Sequence, residues 1–142
     1  MAIWFHDISL DQLNSMNTNT INEHLGIEFI EIGDDYIKAK MPVDKRTHQP
    51  YGILHGGASV VLAESLGSMA ASLCVNIETH IVMGLEVNAN HLRPVHDGYV
   101  TGTATPAHLG RTVHVWEIKI CDDHEKLNCI SRLTVAVRER KT

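Results

Sequence analysis

Aromatic side chains are scarce in this chain. Two Phe, two Trp and three Tyr serve 142 residues, so any pocket it builds is lined mainly by aliphatic groups. Cysteine is scarcer still and odd in number. The three thiols, at 74, 121 and 129, form no Cys-x-x-Cys knuckle and no disulfide framework, which suits a reducing compartment. There is no surplus of positive charge: the net charge is −5, which argues against nonspecific nucleic-acid binding but leaves room for a local basic patch. The N-terminal MAIWFHDISLDQL has no basic region followed by a long apolar one, so a signal peptide is not expected. The most apolar run, 58–75, is rich in Gly and Ser and is interrupted by Glu64, too poor for a membrane span. Ten histidines are present, yet none pair at i, i+4 on a helix and no ligand spacing recurs, so neither a metal nor a cofactor is expected. No internal repeat, low-complexity tract or linker divides residues 1–142. A hydrophobic fraction of 44% is enough for one domain with a core.

The stretch from His48 to Cys74 organises the rest. Pro50 and Gly52 make its first part turn-like, and Gly56–Gly57 permits close backbone approach. From about Gly57 the spacing is helical: Leu62, Leu66, Met69 and Leu73 make one bulky stripe. Gly57, Glu64, Gly67, Ser68 and Ala71 share another face, on which every member but Glu64 is small, and Gly67, Ser68 and Ala71 are expected to leave room for a ligand beside Glu64. A helix of ~18 residues would be ~27 Å long. Glu64 has no charged neighbour between His55 and Val75, and a carboxylate in such a place is costly unless paired, hydrogen-bonded or protonated. Gly-Gly at the helix start leaves backbone N–H groups open to an incoming oxygen. One element thus offers oxyanion donors at its start and a carboxylate two turns along. The plainer reading is a core helix whose glutamate snorkels or caps a neighbour.

Around this element the sequence predicts mostly strands. Trp4, Phe5 and Ile8 cover something apolar, and Ser9 with Gln12 forms a capping box for a short helix over 9–16. Residues 17–24 read as loop or a second helical turn. Segments 27–32 and 36–41 flank Gly33-Asp34-Asp35 as a hairpin. After the helix come four alternating segments, 81–92, 98–107, 112–121 and 127–137, predicted as a meander. In the first of them Ile81, Met83, Leu85, Val87, Ala89 and His91 share one face. The expected fold class is α+β, one antiparallel sheet curled around a long central helix, with residues 1–23 as cover and 24–138 as core. The uncharged outer face, with Val113, Val115, Asn88, Asn90 and a Thr row, suits a second subunit.

Gln49, the His55-Gly56-Gly57 triplet, Glu64 and Ser68, with this strand pattern behind them, resemble the hotdog-fold acyl-CoA thioesterases. The likeness is to the branch holding phenylacetate-pathway, hydroxybenzoyl-CoA and 1,4-dihydroxy-2-naphthoyl-CoA thioesterases, and it spans residues 24–138. Gln lies seven residues before Gly56 and Glu eight after it, which is more specific than a bare His-Gly-Gly. The resemblance implies the hotdog fold, an acyl-CoA substrate, a homodimer with shared active sites and a dimer-of-dimers tetramer. It implies that the Gly56 N–H binds the thioester oxygen and that His55 and Gln49 orient the carbonyl. Glu64 would come from the facing subunit as general base or nucleophile, Ser68 would hold the water or the carboxylate, and His91 would meet the reacting or ring end of the substrate. Arg93, His108, Gly110 and Arg111 correspond to the CoA edge, where Arg suits phosphate. The expected reaction is hydrolysis of an aromatic acyl-CoA to acid and CoA, in the cytoplasm, with menaquinone synthesis as a setting.

Three rivals remain open on sequence. Hotdog dehydratases or hydratases bring a catalytic His with an Asp on the helix or its loop, but no Asp lies between Asp44 and Asp97, which favours hydrolysis. A thioesterase acting on acyl or aryl carrier protein would need a complementary surface at the pantetheine entrance. A non-catalytic acyl-CoA-binding domain would tolerate replacement of Glu64.

Overall fold

A computed structural model describes all of residues 1–142. Two short helices, α1 (Leu10–Ser15) and α2 (Ile21–Leu25), precede the hairpin β1 (Glu28–Ile32) and β2 (Ile37–Pro42). The long helix α3 (Gly56–Leu73) follows, and then β3 (His80–His91), β4 (Tyr99–Leu109), β5 (Val113–Cys121) and β6 (Leu127–Glu139). The capping box forms as the sequence predicts, with Ser9 Oγ accepting from the Gln12 N–H and Gln12 Oε1 accepting from the Ser9 N–H. Segment 17–24 resolves into a Thr20 N-cap followed by α2, which ends on Gly26 at φ 71°.

The six strands form one antiparallel sheet in the order β1-β2-β4-β5-β6-β3. The predicted four-strand meander is therefore corrected: β4, β5 and β6 meander, while β3 crosses to the far edge and pairs only with β6. The connection between β3 and β4 has to cross β6 and β5, which lie between them in the sheet. One edge of β3 is left without a strand partner.

The inner faces of β4, β5 and β6 pack on α3. Trp116, Ile118, Ile120, Leu133 and Val135 are fully buried against Leu62 and Leu66 of the helix. The small residues of α3 have a different use from the one expected. Gly67 does not leave space beside Glu64; a Cβ there would stand 2.6 Å from Leu133 Cδ2, and Gly102 on β4 meets Leu66 at the same distance. These glycines let helix and sheet approach closely. Ala71, also expected on the roomy face, is fully buried.

The predicted single face of β3 is also corrected. Leu85 is an extra residue in the ladder, since Gly84 pairs with Val135 and Glu86 with Thr134. This bulge reverses the alternation. Val87 and Ala89 pack on the core, whereas Met83 and Leu85 are 53% and 59% exposed. No helix is long and apolar enough to cross a membrane.

Candidate active site

The loop before α3 is built to hold its first turn. Asp44 anchors it: its carboxylate accepts from the Arg46 N–H at 2.9 Å and from the Arg46 guanidinium at 2.6 Å, and its carbonyl accepts from the Thr47 and His48 N–H groups. The Arg46 side chain beside it holds the Asp44 carboxyl down at about 2. A tight turn follows. Gln49 donates its N–H to the Ile53 carbonyl, and its Oε1 accepts from the Tyr51 N–H, which leaves the amide NH2 uncommitted. His48 is half-buried and bonds the His96 carbonyl at 3.0 Å.

His55 is the N-cap of α3. Its Nδ1 accepts from the Gly57 N–H at 2.7 Å, an unusual cap that fixes the imidazole against the helix. Gly56 is the first residue of the helix, so its N–H has no acceptor within the helix and sits at the positive end of the dipole. The His91 ring lies directly over it. A Cβ on Gly56 would be 2.8 Å from His91 Nε2, so a side chain here would push the imidazole aside. Gln49, Gly56, Ser59, His91, Arg93 and Asn128 share one cleft of about 370 Å³.

Asn128 is a site residue that the sequence reading did not single out. Its side-chain amide donates to the Arg93 carbonyl, and its backbone carbonyl accepts from the Leu92 N–H at 2.8 Å. It staples the segment after His91 to β6. The available signal was a lone amide in a strand otherwise read as apolar on one face and polar on the other.

Glu64 lies elsewhere on the same protomer. Its carboxylate reaches toward β3, with Oε1 3.4 Å from where a Gly84 Cβ would stand. It borders a separate hollow of about 260 Å³ with Ile21, Val60, Val61 and Ser65. Eight residues of helix separate it from Gly56, a rise of ~12 Å. That distance is too great for both groups to meet one carbonyl, since reacting atoms must come within ~3–3.5 Å. Ser68 stands one turn further along, half-buried, with its carbonyl taken by the Ser72 hydroxyl at 2.9 Å.

The residues expected at the CoA edge divide into two places. Arg93 belongs to the Gly56 cleft. His108, Gly110 and Arg111 form the β4–β5 turn, where Gly110 donates to the Val113 carbonyl at 2.8 Å and the His108 ring folds onto Gly110. Arg111 shares a wide hollow of about 590 Å³ with His80, Thr112 and Arg138. Arg138 Nη1 donates to the Thr112 carbonyl at 3.2 Å, which brings a second guanidinium beside the first. His80 begins β3 and Arg93 follows its end, so the two places are separated by at least the length of β3, roughly 36 Å at ~3.3 Å per residue, on one protomer.

A long helix wrapped by one antiparallel sheet, with a glycine donor at the helix start and a carboxylate along it, is the hotdog arrangement of thioester hydrolases. Residues 51–129 match the Thioesterase superfamily model, more than half of the chain. The chain is 52% identical over 135 residues to the 1,4-dihydroxy-2-naphthoyl-CoA hydrolase of Escherichia coli, covering 95% of this chain and 98% of that one. It is 50% identical over 135 residues to the proofreading thioesterase EntH of Cronobacter turicensis, with the same coverage of 95% and 98%. A crystal structure of a Haemophilus influenzae thioesterase superposes with a TM-score of 0.94 at 52% identity, covering 96% of this chain and 95% of that one. The chain belongs to the thioesterase superfamily and is a thioester hydrolase.

Proposed function

We propose that the chain hydrolyses acyl-CoA thioesters bearing a small aromatic acyl group, in two active sites each shared by two copies. The observation that carries this is the ~12 Å along α3 between the Gly56 donor and Glu64. One protomer holds each half of a hydrolytic site and cannot bring them together. The open edge of β3, over which the Glu64 carboxylate reaches, is where a second copy would join.

If two β3 strands pair antiparallel about a two-fold axis, the His91–Arg93 end of one lies beside the His80 end of the other. Arg93 then comes near the partner's Arg111 and His108, and the two halves of the CoA edge meet. In this arrangement Gly56 N–H takes the oxygen on which charge develops, helped by the helix dipole. His91 and the free Gln49 amide bear on the carbonyl, and His55 holds the helix start. The facing Glu64, with Ser68 beside it, activates water or attacks the carbonyl directly. Pairing of such dimers through the outer sheet face would give a tetramer.

The 1,4-dihydroxy-2-naphthoyl-CoA hydrolase among the relatives supports an aromatic acyl group and fits a step of menaquinone synthesis. EntH, named a proofreading thioesterase, supports a second reading in which the thioester is carried by a carrier protein. A panel of benzoyl-, dihydroxynaphthoyl-, hexanoyl- and palmitoyl-CoA, read by thiol release, tests the proposal. Aromatic esters should turn over fastest. Glu64→Gln should lower kcat by about 10²–10⁴-fold with little change in KM. Mixing Glu64→Gln with an inactive Gly56 variant should restore about a quarter of wild-type activity, from the one intact site in each mixed dimer. Failure of the mixture to recover would remove the shared site. Unchanged turnover by Glu64→Gln would remove the mechanism.

A further inference from the structure

Helix α2 is an oddity of construction. It has five residues, far below the length at which a helix holds together on its own, and it contains no buried residue. It is nevertheless secured at both ends and along its side. Thr20 Oγ1 accepts from the Asn22 N–H at 3.2 Å, and Gly26 closes the C-terminus in the left-handed conformation. Ser65, the residue after Glu64, donates its hydroxyl to Asn22 Oδ1 at 2.8 Å. Asn22 Nδ2 donates to Asn17 Oδ1 at 3.1 Å, and buried Asn17 donates in turn to the Ile27 carbonyl at 3.1 Å. A chain of side-chain hydrogen bonds thus runs from α3 through α2 to the start of β1.

What this network holds in place is Ile21. Its side chain is 55% exposed, so it adds little to the core, and it faces the 260 Å³ hollow whose other walls are Val60, Val61, Glu64 and Ser65. Apart from the carboxylate and one hydroxyl, the hollow is aliphatic, and that hydroxyl is spent on Asn22. Its volume lies below the ~300–1,000 Å³ that admits a whole drug-sized ligand. It suits a compact acyl head and is too small for a long chain.

We infer that Ile21 is a specificity-determining residue: α2 is the wall against which a ring-sized acyl group is held beside Glu64, with Val60 and Val61 opposite. This rests on the proposed acyl-CoA hydrolysis and adds to it the part of the chain that reads the acyl group. A well-fitted aliphatic wall discriminates neighbouring acyl sizes by about 10–200-fold, and such a wall works only if it cannot swing away. The Ser65–Asn22–Asn17 network supplies that stiffness.

The test compares kcat/KM for benzoyl-CoA and butyryl-CoA in wild type, Ile21→Trp, Ile21→Ala and Asn22→Ala, with circular dichroism to verify folding. Ile21→Trp should lower the benzoyl-to-butyryl ratio at least tenfold by filling the hollow. Ile21→Ala should shift preference toward dihydroxynaphthoyl-CoA over benzoyl-CoA. Asn22→Ala leaves the wall's side chains in place and should raise KM for benzoyl-CoA alone. A ratio within twofold of wild type in Ile21→Trp, with both esters still hydrolysed, would overturn this inference and leave the proposed function standing. Hydrolysis of no CoA ester by wild type would overturn both.

Discussion

The two ends of the central helix are finished in opposite ways. At Gly56 the helix opens into a cleft. Its cap is a histidine that takes the Gly57 N–H and leaves the Gly56 N–H without a helical partner. At Leu73 the end is closed. Phe5 donates its N–H to the Leu73 carbonyl at 2.7 Å, the Cys74 N–H returns to Ala71, and His6 Nε2 bonds the Val75 carbonyl at 2.8 Å. The N-terminal segment crosses this end and seals it, with Trp4 stacked on buried Trp116 at 6.4 Å between centroids and donating to the Gly33 carbonyl at 2.7 Å. Every helix has unsatisfied groups at both ends. Here the chain itself satisfies the C-terminal set, whereas at the N-terminus the Gly56 N–H is left facing the cleft.

Two glycines on that helix break the comparison most sharply. Gly56→Ala would push a Cβ to 2.8 Å from His91 Nε2 in the cleft, whereas Gly67→Ala would push one to 2.6 Å from Leu133 in the core. With the Gly56 N–H as the proposed oxyanion donor, the first should lower kcat by about 10²-fold, because the added methyl pushes the His91 ring aside and crowds the N–H, while thermal stability is nearly kept. The second should cost about 1–3 kcal/mol of stability through overpacking, with kcat of the folded enzyme unchanged. Thiol-release kinetics and a melting curve on each variant give the four values. Equal losses of activity in the two would mean that the Gly56 end is no more specialised than the rest of the helix.

This division was only partly legible in the sequence. The Leu62–Leu66–Leu73 stripe and the His55-Gly56-Gly57 start were readable because helical periodicity and glycine placement are local signals. The place of β3 was not, because strand order depends on which edge is free after the others have paired. The bulge at Leu85 was missed for a related reason: alternation read from Ile81 to His91 looks unbroken, and the slip exists only against β6. The small residues Gly67 and Ala71 were read as room for a ligand when they are room for Leu133 and the sheet. α2 was readable only as one of two options for 17–24, loop or helical turn, since what fixes it is the Asn22–Ser65 bond across 43 positions of chain.

The closed end gives a smaller and purely thermodynamic effect. Trp4→Ala removes the stack on Trp116 and the bond to the Gly33 carbonyl. Trp4 is half-buried, so the expected loss is about 1–3 kcal/mol, or several degrees in Tm. Thioesterase activity at 25 °C should be unchanged. A fall in kcat comparable with that of Gly56→Ala would mean that the N-terminal segment reaches the chemistry, contrary to the contrast drawn between the two ends.

The smallest effect is a pH dependence that belongs to the closed end alone. His114 lies on β5 beside Trp116, 4% exposed, with its Nδ1 unpartnered. Burial, and secondarily the charge of His108, hold its pKa below the ordinary 6.5, against a backbone hydrogen bond at Gly110 that opposes the shift. Since the folded value is the lower one, the unfolded chain takes up this proton first on acidification. Above about pH 6.5 both states are neutral here and the group has no effect on stability. As pH falls from there through the folded value, stability is lost, at about 1.4 kcal/mol for each unit of depression. Tm measured between pH 8 and pH 5 should therefore decline on the acid side in wild type. In His114→Leu, which cannot titrate and fills the same apolar space, the decline over that window should flatten. If the slope survives in His114→Leu, the acid sensitivity arises elsewhere, and the sealed end of the helix is not where protonation first loosens the fold.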